Sequence, residues 1–218
     1  MIPPLVSVLV TTYNHGRFIA QTLDSILMQQ TTFRVEILVG EDCSTDDTAA
    51  IVQTYQARYP DRIRAFISPH NEGGHANFSR LLEHAQGQYL AWVEGDDYWI
   101  DPKKLEKQVA FLAQHPDVAL CFHAVEIIEQ GSAETASASK VTISNAGQAP
   151  ETTMARLCLG NYIRTASSMV RRGVVTTLPE WIYPLPLGDW PFFLLHAQTG
   201  KIGFLPDVMA AYRSHAQG

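Results

Sequence analysis

The chain has 218 residues, 46% of them hydrophobic and 17% charged, with a formal net charge of −6. This is an ordinary folded protein, long enough to bury a full core in one large domain or one domain with a small appendage. No run of Lys and Arg stands out, which argues against a nucleic-acid binder but leaves room for a nucleotide held by a metal and local positive charge.

Met1-Ile2-Pro3-Pro4 shows no secretory signal pattern and leads straight into residues 5–10, an apolar run of the kind buried on both faces of a parallel sheet. Ile19, Leu23, Ile26 and Leu27 follow at helical spacing. Residues 35–39 read as the second strand. Ser44, three residues before Asp47, forms a capping-box pattern, opening a helix that buries Ile51, Val52, Tyr55 and Tyr59 and stops at Pro60. Residues 63–67 read as the third strand. The loop 68–75, with Gly73-Gly74, then leads to a helix faced by Phe78, Leu81, Leu82 and Ala85. Residues 89–93 are the fourth strand. Asp101-Pro102 reads as N-cap and first residue of a helix carrying Leu105, Val109 and Leu112, with a further strand at 118–128.

Residues 131–148 are rich in Ser, Ala and Thr and lack aromatics, which predicts a mobile excursion or weak hairpin. Short helices at 153–159 and 190–198 and strands at 164–170, 202–205 and 208–212 complete the chain. Alternating strand and helix followed by mixed elements implies a parallel α/β half and an appended α+β half. No run approaches the ~20 apolar residues of a membrane span. Cys43, Cys121 and Cys158 are widely spaced and form no CxxC pair, so a structural zinc site is disfavoured and reduced thiols in a cytoplasmic setting are expected.

Three apolar strands end in polar clusters: Thr11-Thr12-Tyr13-Asn14, Glu41-Asp42-Cys43-Ser44 and Glu94-Gly95-Asp96-Asp97. In an open parallel sheet these tips share one edge, where ligands bind. The third cluster packs three carboxylates into four residues behind a buried strand. Alone, they would raise one another's pKa or destabilise the fold. A hard divalent cation, Mg²⁺ or Mn²⁺, relieves that repulsion and often brings a phosphate with it. The first crossover carries neither GxGxxG nor GxxxxGK[ST], which disfavours a nicotinamide site and a P-loop. No nucleophile elbow surrounds Ser167-Ser168.

Taken together, five segments resemble the family 2 glycosyltransferases of the GT-A fold. They are Ser7-Val8-Leu9-Val10-Thr11-Thr12-Tyr13-Asn14, Gly40-Glu41-Asp42-Cys43-Ser44-Thr45-Asp46, Glu94-Gly95-Asp96-Asp97-Tyr98-Trp99, Gly188-Asp189-Trp190-Pro191-Phe192 and Tyr212-Arg213-Ser214-His215. They occur in that family's order and span nearly the whole chain. Two departures are visible: Glu41-Asp42-Cys43 stands where two aspartates and a glycine are usual, and Glu94 where the metal motif usually opens on Asp. Both keep the carboxylate. The resemblance implies an α/β fold, a Rossmann-like, mostly parallel sheet flanked by helices with a C-terminal α+β acceptor side. It also implies one domain over 1–218, with a nucleotide-sugar-binding half at 1–128 and an acceptor-binding half at 129–218, belonging to a longer chain.

The resemblance further implies residue roles. Asp96 and Asp97 are the metal pair, with His215 a further ligand, and Glu94 reaches the ribose or a water beyond the metal. Thr11 and Tyr13 line the base, although Tyr13 also fits plain core, and Asp42 accepts from an imide N–H of the base. Arg213 lies close to the diphosphate. Asp189 is the catalytic base; the competing reading makes it only the N-cap of the helix behind it. Glu41 supports its loop, and loop 71–77 lies on the donor side. Trp181, Tyr183 and Trp190 are candidates for stacking on sugars, and Ser167 and Ser168 for shaping the acceptor pocket. The remaining histidines show no metal-ligand spacing and are read as surface or core.

The implied reaction moves a sugar with inversion from a nucleotide-diphosphate-sugar, UDP- or dTDP-sugar favoured, to a hydroxyl of a glycan or lipid-linked sugar acceptor. It uses Mn²⁺ or Mg²⁺, in bacterial surface polysaccharide or glycan synthesis. The implied setting is cytoplasmic, at the inner face of the membrane where the association is peripheral. The alternatives are a sugar nucleotidyltransferase and a non-catalytic nucleotide-sugar-binding module.

Overall fold

The computed structural model describes residues 3–129, 140–186 and 188–214. The chain runs β1 (Val6–Thr12), α1 (Ile19–Leu27), β2 (Val35–Glu41), α2 (Thr48–Arg58), β3 (Ile63–Ile67), α3 (Gly74–His84), β4 (Tyr89–Glu94), β5 (Tyr98–Trp99) and α4 (Lys104–Gln114). It continues with β6 (Val118–Glu129), β7 (Lys140–Ile143), β8 (Glu151–Thr152), α5 (Met154–Leu157), β9 (Met169–Arg171), α6 (Asp189–Ala197) and β10 (Lys201–Ser214).

One mixed sheet has the order β3-β2-β1-β4-β9-β6-β10-β5, with β7 beside β6 and β8 beside β10. The four N-terminal strands are mutually parallel, and β1 pairs with β2 on one side and β4 on the other. The central strands β1, β2 and β4 are mostly apolar and buried because helices cover both faces, while β3 at the edge carries the exposed Arg64. On one face Val6, Val8 and Val10 pack with Ile19, Leu23 and Ile26 of α1, Val52 of α2 and Leu105 of α4. On the other, Leu9, Leu38, Leu90 and Trp92 meet Phe78 and Leu81 of α3 and Phe192 and Phe193 of α6. Each fully buried Leu or Phe stabilises the fold by roughly 1.5–3 kcal/mol relative to leaving it in water. The chain moves outward from β1 to β2 and β3, then returns to the far side of β1 for β4. That reversal opens a crevice at the carboxyl ends of β1 and β4.

Four local expectations are corrected. The Ser44–Asp47 capping box does not form. Ser44 Oγ accepts the Asn14 N–H at 2.9 Å, and Asp46 instead accepts the Thr48 N–H at 3.0 Å ahead of α2. The stretch 164–170 is not one strand, because the Ser167 and Ser168 hydroxyls donate to the carbonyls of Arg164 and Thr165 and hold a 3-10 turn before β9. The two strands predicted at 202–205 and 208–212 are a single strand, β10, whose bulge absorbs the interruption while β6 stays paired alongside. Helix α4 begins at Lys104, two residues beyond Pro102, and Asp101 accepts the Lys103 N–H at 2.8 Å in the turn before it. Within the predicted excursion at 131–148, residues 140–143 pair with 126–129 as an antiparallel arm. Its remaining part up to residue 139 lies outside the described residues, as does His215.

Candidate functional site

The tips of β1, β2 and β4 come together as one edge. Thr11 pairs with Glu94 across β1 and β4, and Thr12 with Glu41 across β1 and β2. The loops behind β1 and β2 are laced to each other, Asn14 Oδ1 accepting the Thr45 N–H at 2.8 Å, and within the second loop Glu41 Oε1 accepts the Ser44 N–H at 2.7 Å. Glu41 therefore supports its loop.

Beyond β4 the chain turns through Gly95 and Asp96. A Cβ on Gly95 would stand 2.4 Å from Thr12 Oγ1, so only glycine lets the turn close against β1. The Thr22 hydroxyl of α1 lies 2.9 Å from the Gly95 carbonyl and 2.6 Å from that of Asp97. From β10, the Arg213 N–H donates to Asp97 Oδ1 at 2.8 Å. The Arg213 guanidinium donates to the Asp96 carbonyl and to Gln21 Oε1, sandwiched between the rings of Phe18 and Tyr98. Arg213 thus grips the acidic turn from within while still lining the crevice.

Held this way, Glu94, Asp96 and Asp97 offer oxygens that all lie within 4.8 Å of one another. Asp97 is fully buried, and its Oδ2 has no hydrogen-bond partner among the described residues. Burial, then the charges of Asp96 and Asp189, pushes the Glu94 carboxyl up to about 8. Burial, followed by Asp96 and Glu94, drives Asp97 well above the usual carboxylate range against the pull of Arg213. Three converging carboxylates, one with a buried oxygen lacking a donor, fit a hard divalent cation. His15 joins them, with Nε2 3.8 Å from Asp96 Oδ2 and Nδ1 3.2 Å from Thr12 Oγ1.

The crevice has two lobes that share Thr11, Gly74, Glu94 and Tyr212 as a common wall. The first, about 480 Å³, is bordered by Tyr13, Asp42, Gly73, Asp96 and Arg213. Tyr13 is 42% exposed there and is not part of the core. Asp42 is buried and receives the N–H groups of Glu72 and Gly73, each at 2.9 Å, which folds loop 71–77 over this lobe. The second lobe, about 500 Å³, is bordered by His75, Trp92, Asn161, Arg164 and Asp189. Asp189 opens α6. It accepts the Trp190 N–H at 2.7 Å on Oδ1 and the Asn161 side-chain amide at 2.8 Å on Oδ2. Burial raises its pKa despite both donors.

Thr11, Tyr13, Asp42, Glu94, Asp96, Asp189 and Arg213 therefore border one crevice, and Asp97 lies fully buried behind it, beside Glu94 and Asp96. Trp190 instead ties α6 to the segment before it, its Nε1 donating to the Leu157 carbonyl at 3.0 Å, while Trp181 and Tyr183 are exposed. Ser167 and Ser168 are buried in their own turn and do not border the second lobe. Sequence reasoning missed His15, His75 and Asn161. His15 follows the first polar tip and His75 lies in loop 71–77, so either could have been flagged by position, whereas nothing local marks Asn161.

The model of glycosyl transferase family 2 matches residues 7–178, which take in all three polar strand tips. The chain belongs to glycosyl transferase family 2. An uncharacterized protein of Mycobacterium tuberculosis is 38% identical to this chain over 213 residues, 97% of the chain and 59% of the relative. The chain therefore spans about three-fifths of that relative's length. A putative teichuronic acid biosynthesis glycosyltransferase of Bacillus subtilis, TuaG, is 38% identical over 111 residues, 51% of this chain and 43% of its own. Among solved structures, Staphylococcus aureus TarS in complex with UDP-GlcNAc superposes with a TM-score of 0.71 at 23% identity, covering 96% of this chain and 58% of that one. That likeness establishes the GT-A fold for this chain. Among the described residues, no helix is long and apolar enough to cross a membrane.

Proposed function

We propose that this glycosyltransferase moves a sugar, with inversion, from a nucleotide-diphosphate-sugar in the first lobe to a hydroxyl acceptor in the second. The observation that carries the reading is the pair of lobes meeting at Glu94, with the Glu94–Asp96–Asp97 cluster on one side and the separate, half-buried Asp189 on the other. Tyr13 and Asp42 border the base, each Asp42 oxygen keeping a lone pair for an imide N–H, which favours UDP- or dTDP-sugars. The amide groups at the start of α3 and Arg213 face the diphosphate. Asp96 and Asp97 would hold Mn²⁺ or Mg²⁺, whose chemistry here is to neutralise the departing diphosphate. Asp189 takes the proton of the acceptor hydroxyl, and burial raises its pKa, which strengthens it as a base. The teichuronic acid biosynthesis named for the Bacillus subtilis relative supports a glycan or lipid-linked acceptor in bacterial surface polysaccharide synthesis.

A thermal-shift panel of nucleotide-sugars with Mn²⁺ tests the donor side. One or more nucleotide-sugars should raise the melting temperature only when Mn²⁺ is present. Asp97→Asn, which keeps an acceptor for the Arg213 N–H, should abolish that shift; an undiminished shift would remove the metal reading. Asp189→Asn should leave the shift intact and lower turnover roughly 10²–10⁴-fold, the usual worth of a positioned base. Near wild-type turnover would end the assignment of Asp189.

A further inference from the structure

We infer that Asn161 is the positioning residue of the proposed transfer, holding the Asp189 carboxylate in the plane from which it meets the acceptor hydroxyl. The inference rests on the transferase reading above and adds a residue to it. A carboxylate at the start of a helix has two free torsions, and a single donor does not fix its plane. The Trp190 N–H, on Oδ1, belongs to the residue next to Asp189 and moves with the same helix turn. Asn161 reaches Oδ2 from a separate segment 28 residues away. The two donors together, from two independent elements, define the plane, and each oxygen keeps a second lone pair for substrate.

Asn161 is itself held. Its Oδ1 accepts the Ile163 N–H at 3.1 Å, which fixes the amide's orientation and leaves Nδ2 to donate. The neighbouring Tyr162 carbonyl receives Asn145 Nδ2 at 3.0 Å, and the Tyr162 hydroxyl lies 2.7 Å from Thr152 Oγ1. The Trp190 indole ties the same segment to α6 through the Leu157 carbonyl. Support of this kind is what positioning requires: misplacing a reacting group by about 1 Å lowers turnover roughly a hundredfold.

The competing account is that Asn161 merely closes a loop onto α6. Two variants separate the accounts. Asn161→Asp preserves the acceptor for Ile163 N–H and the side-chain volume but deletes the donor to Asp189, whereas Asn161→Ala deletes both. Nucleoside diphosphate release is followed across the nucleotide-sugar panel with Mn²⁺, alongside thermal melts. Both variants should lose kcat roughly ten- to hundredfold with the donor KM within about twofold of wild type. In the Asp189→Asn background, adding Asn161→Ala should change kcat no further, because the residue acts through that carboxylate. Wild-type kcat in Asn161→Asp, or a loss in Asn161→Ala that persists undiminished beside Asp189→Asn, would overturn the positioning role alone. Full turnover in Asp189→Asn by itself would overturn both readings, since no base would remain to position.

Discussion

At the residue scale, Thr22 shows how closely the acidic turn depends on groups outside it. Its hydroxyl has one proton, and the carbonyls of Gly95 and Asp97 both lie within reach of it, deep in the protein. With Val in its place the volume is almost unchanged and the β-branched shape is kept, but neither carbonyl has that donor. Leaving a buried acceptor unsatisfied costs about 1–3 kcal/mol. Thr22→Val should therefore lower the unfolding free energy by about that amount in urea melts. It should also weaken the Mn²⁺-dependent thermal shift, because the turn that aims Asp96 and Asp97 loosens. A variant as stable as wild type would mean that the two carbonyls find other donors. From sequence, Thr22 is only a polar residue between helical apolar positions. The carboxylates it serves are legible because three of them within four residues demand compensation.

At the element scale, what was legible follows from how locally each element is determined. The strands β1, β2 and β4 read correctly because a strand covered on both faces is mostly apolar, β3 because Ile63, Phe66 and Ile67 bracket its one charge, and α1 because Ile19, Leu23 and Ile26 repeat at helical spacing. The alignment of the three polar tips follows from parallel topology alone, so the shared edge that carries Asp42, Glu94 and Asp96 was legible in the sequence. Long-range side-chain choices were not legible. Ser44 looks like a cap, but its hydroxyl binds the Asn14 N–H, 30 residues back in the chain. Residues 164–170 have the composition of a strand, yet two serine hydroxyls bind local carbonyls and turn the backbone instead. Pro206-Asp207 looks like a break, but β6, paired alongside, carries β10 through it. Asn161 escaped for the same reason, its partner being 28 residues away.

At the scale of the whole molecule, the buried ionisable groups set the pH dependence of stability, and they oppose one another. Glu94 rises from an ordinary 4.5 to about 8 on folding, so between those values the folded chain keeps a proton that the unfolded chain has released. Stability from this group is complete below about pH 4.5 and declines as pH rises to 8, by up to about 1.4 kcal/mol per pH unit. Asp97, also raised, acts in the same direction. His196 falls from 6.5 to about 4, and His123 also falls, so both favour the folded state increasingly as pH rises through that range. Lys104, lowered by burial from 10.5 to about 7, adds stability as pH rises above 7. Below pH 6.5 the histidines offset the carboxyls; above it they no longer titrate, the carboxyls erode stability, and Lys104 opposes them only above 7, so the curve of the metal-free chain does not isolate the acidic cluster. The increment produced by Mn²⁺ does, because only the carboxylates meet the cation, and binding requires them deprotonated. The Mn²⁺-induced gain in melting temperature should be small at pH 5 and grow steadily to pH 8. Glu94→Gln should flatten that growth to the part contributed by Asp97. Paired melts with and without Mn²⁺ at pH 5, 6, 7 and 8 make the comparison. An increment independent of pH would mean that the cation binds carboxylates already ionised at pH 5, and the repulsion argued for Glu94, Asp96 and Asp97 would not exist.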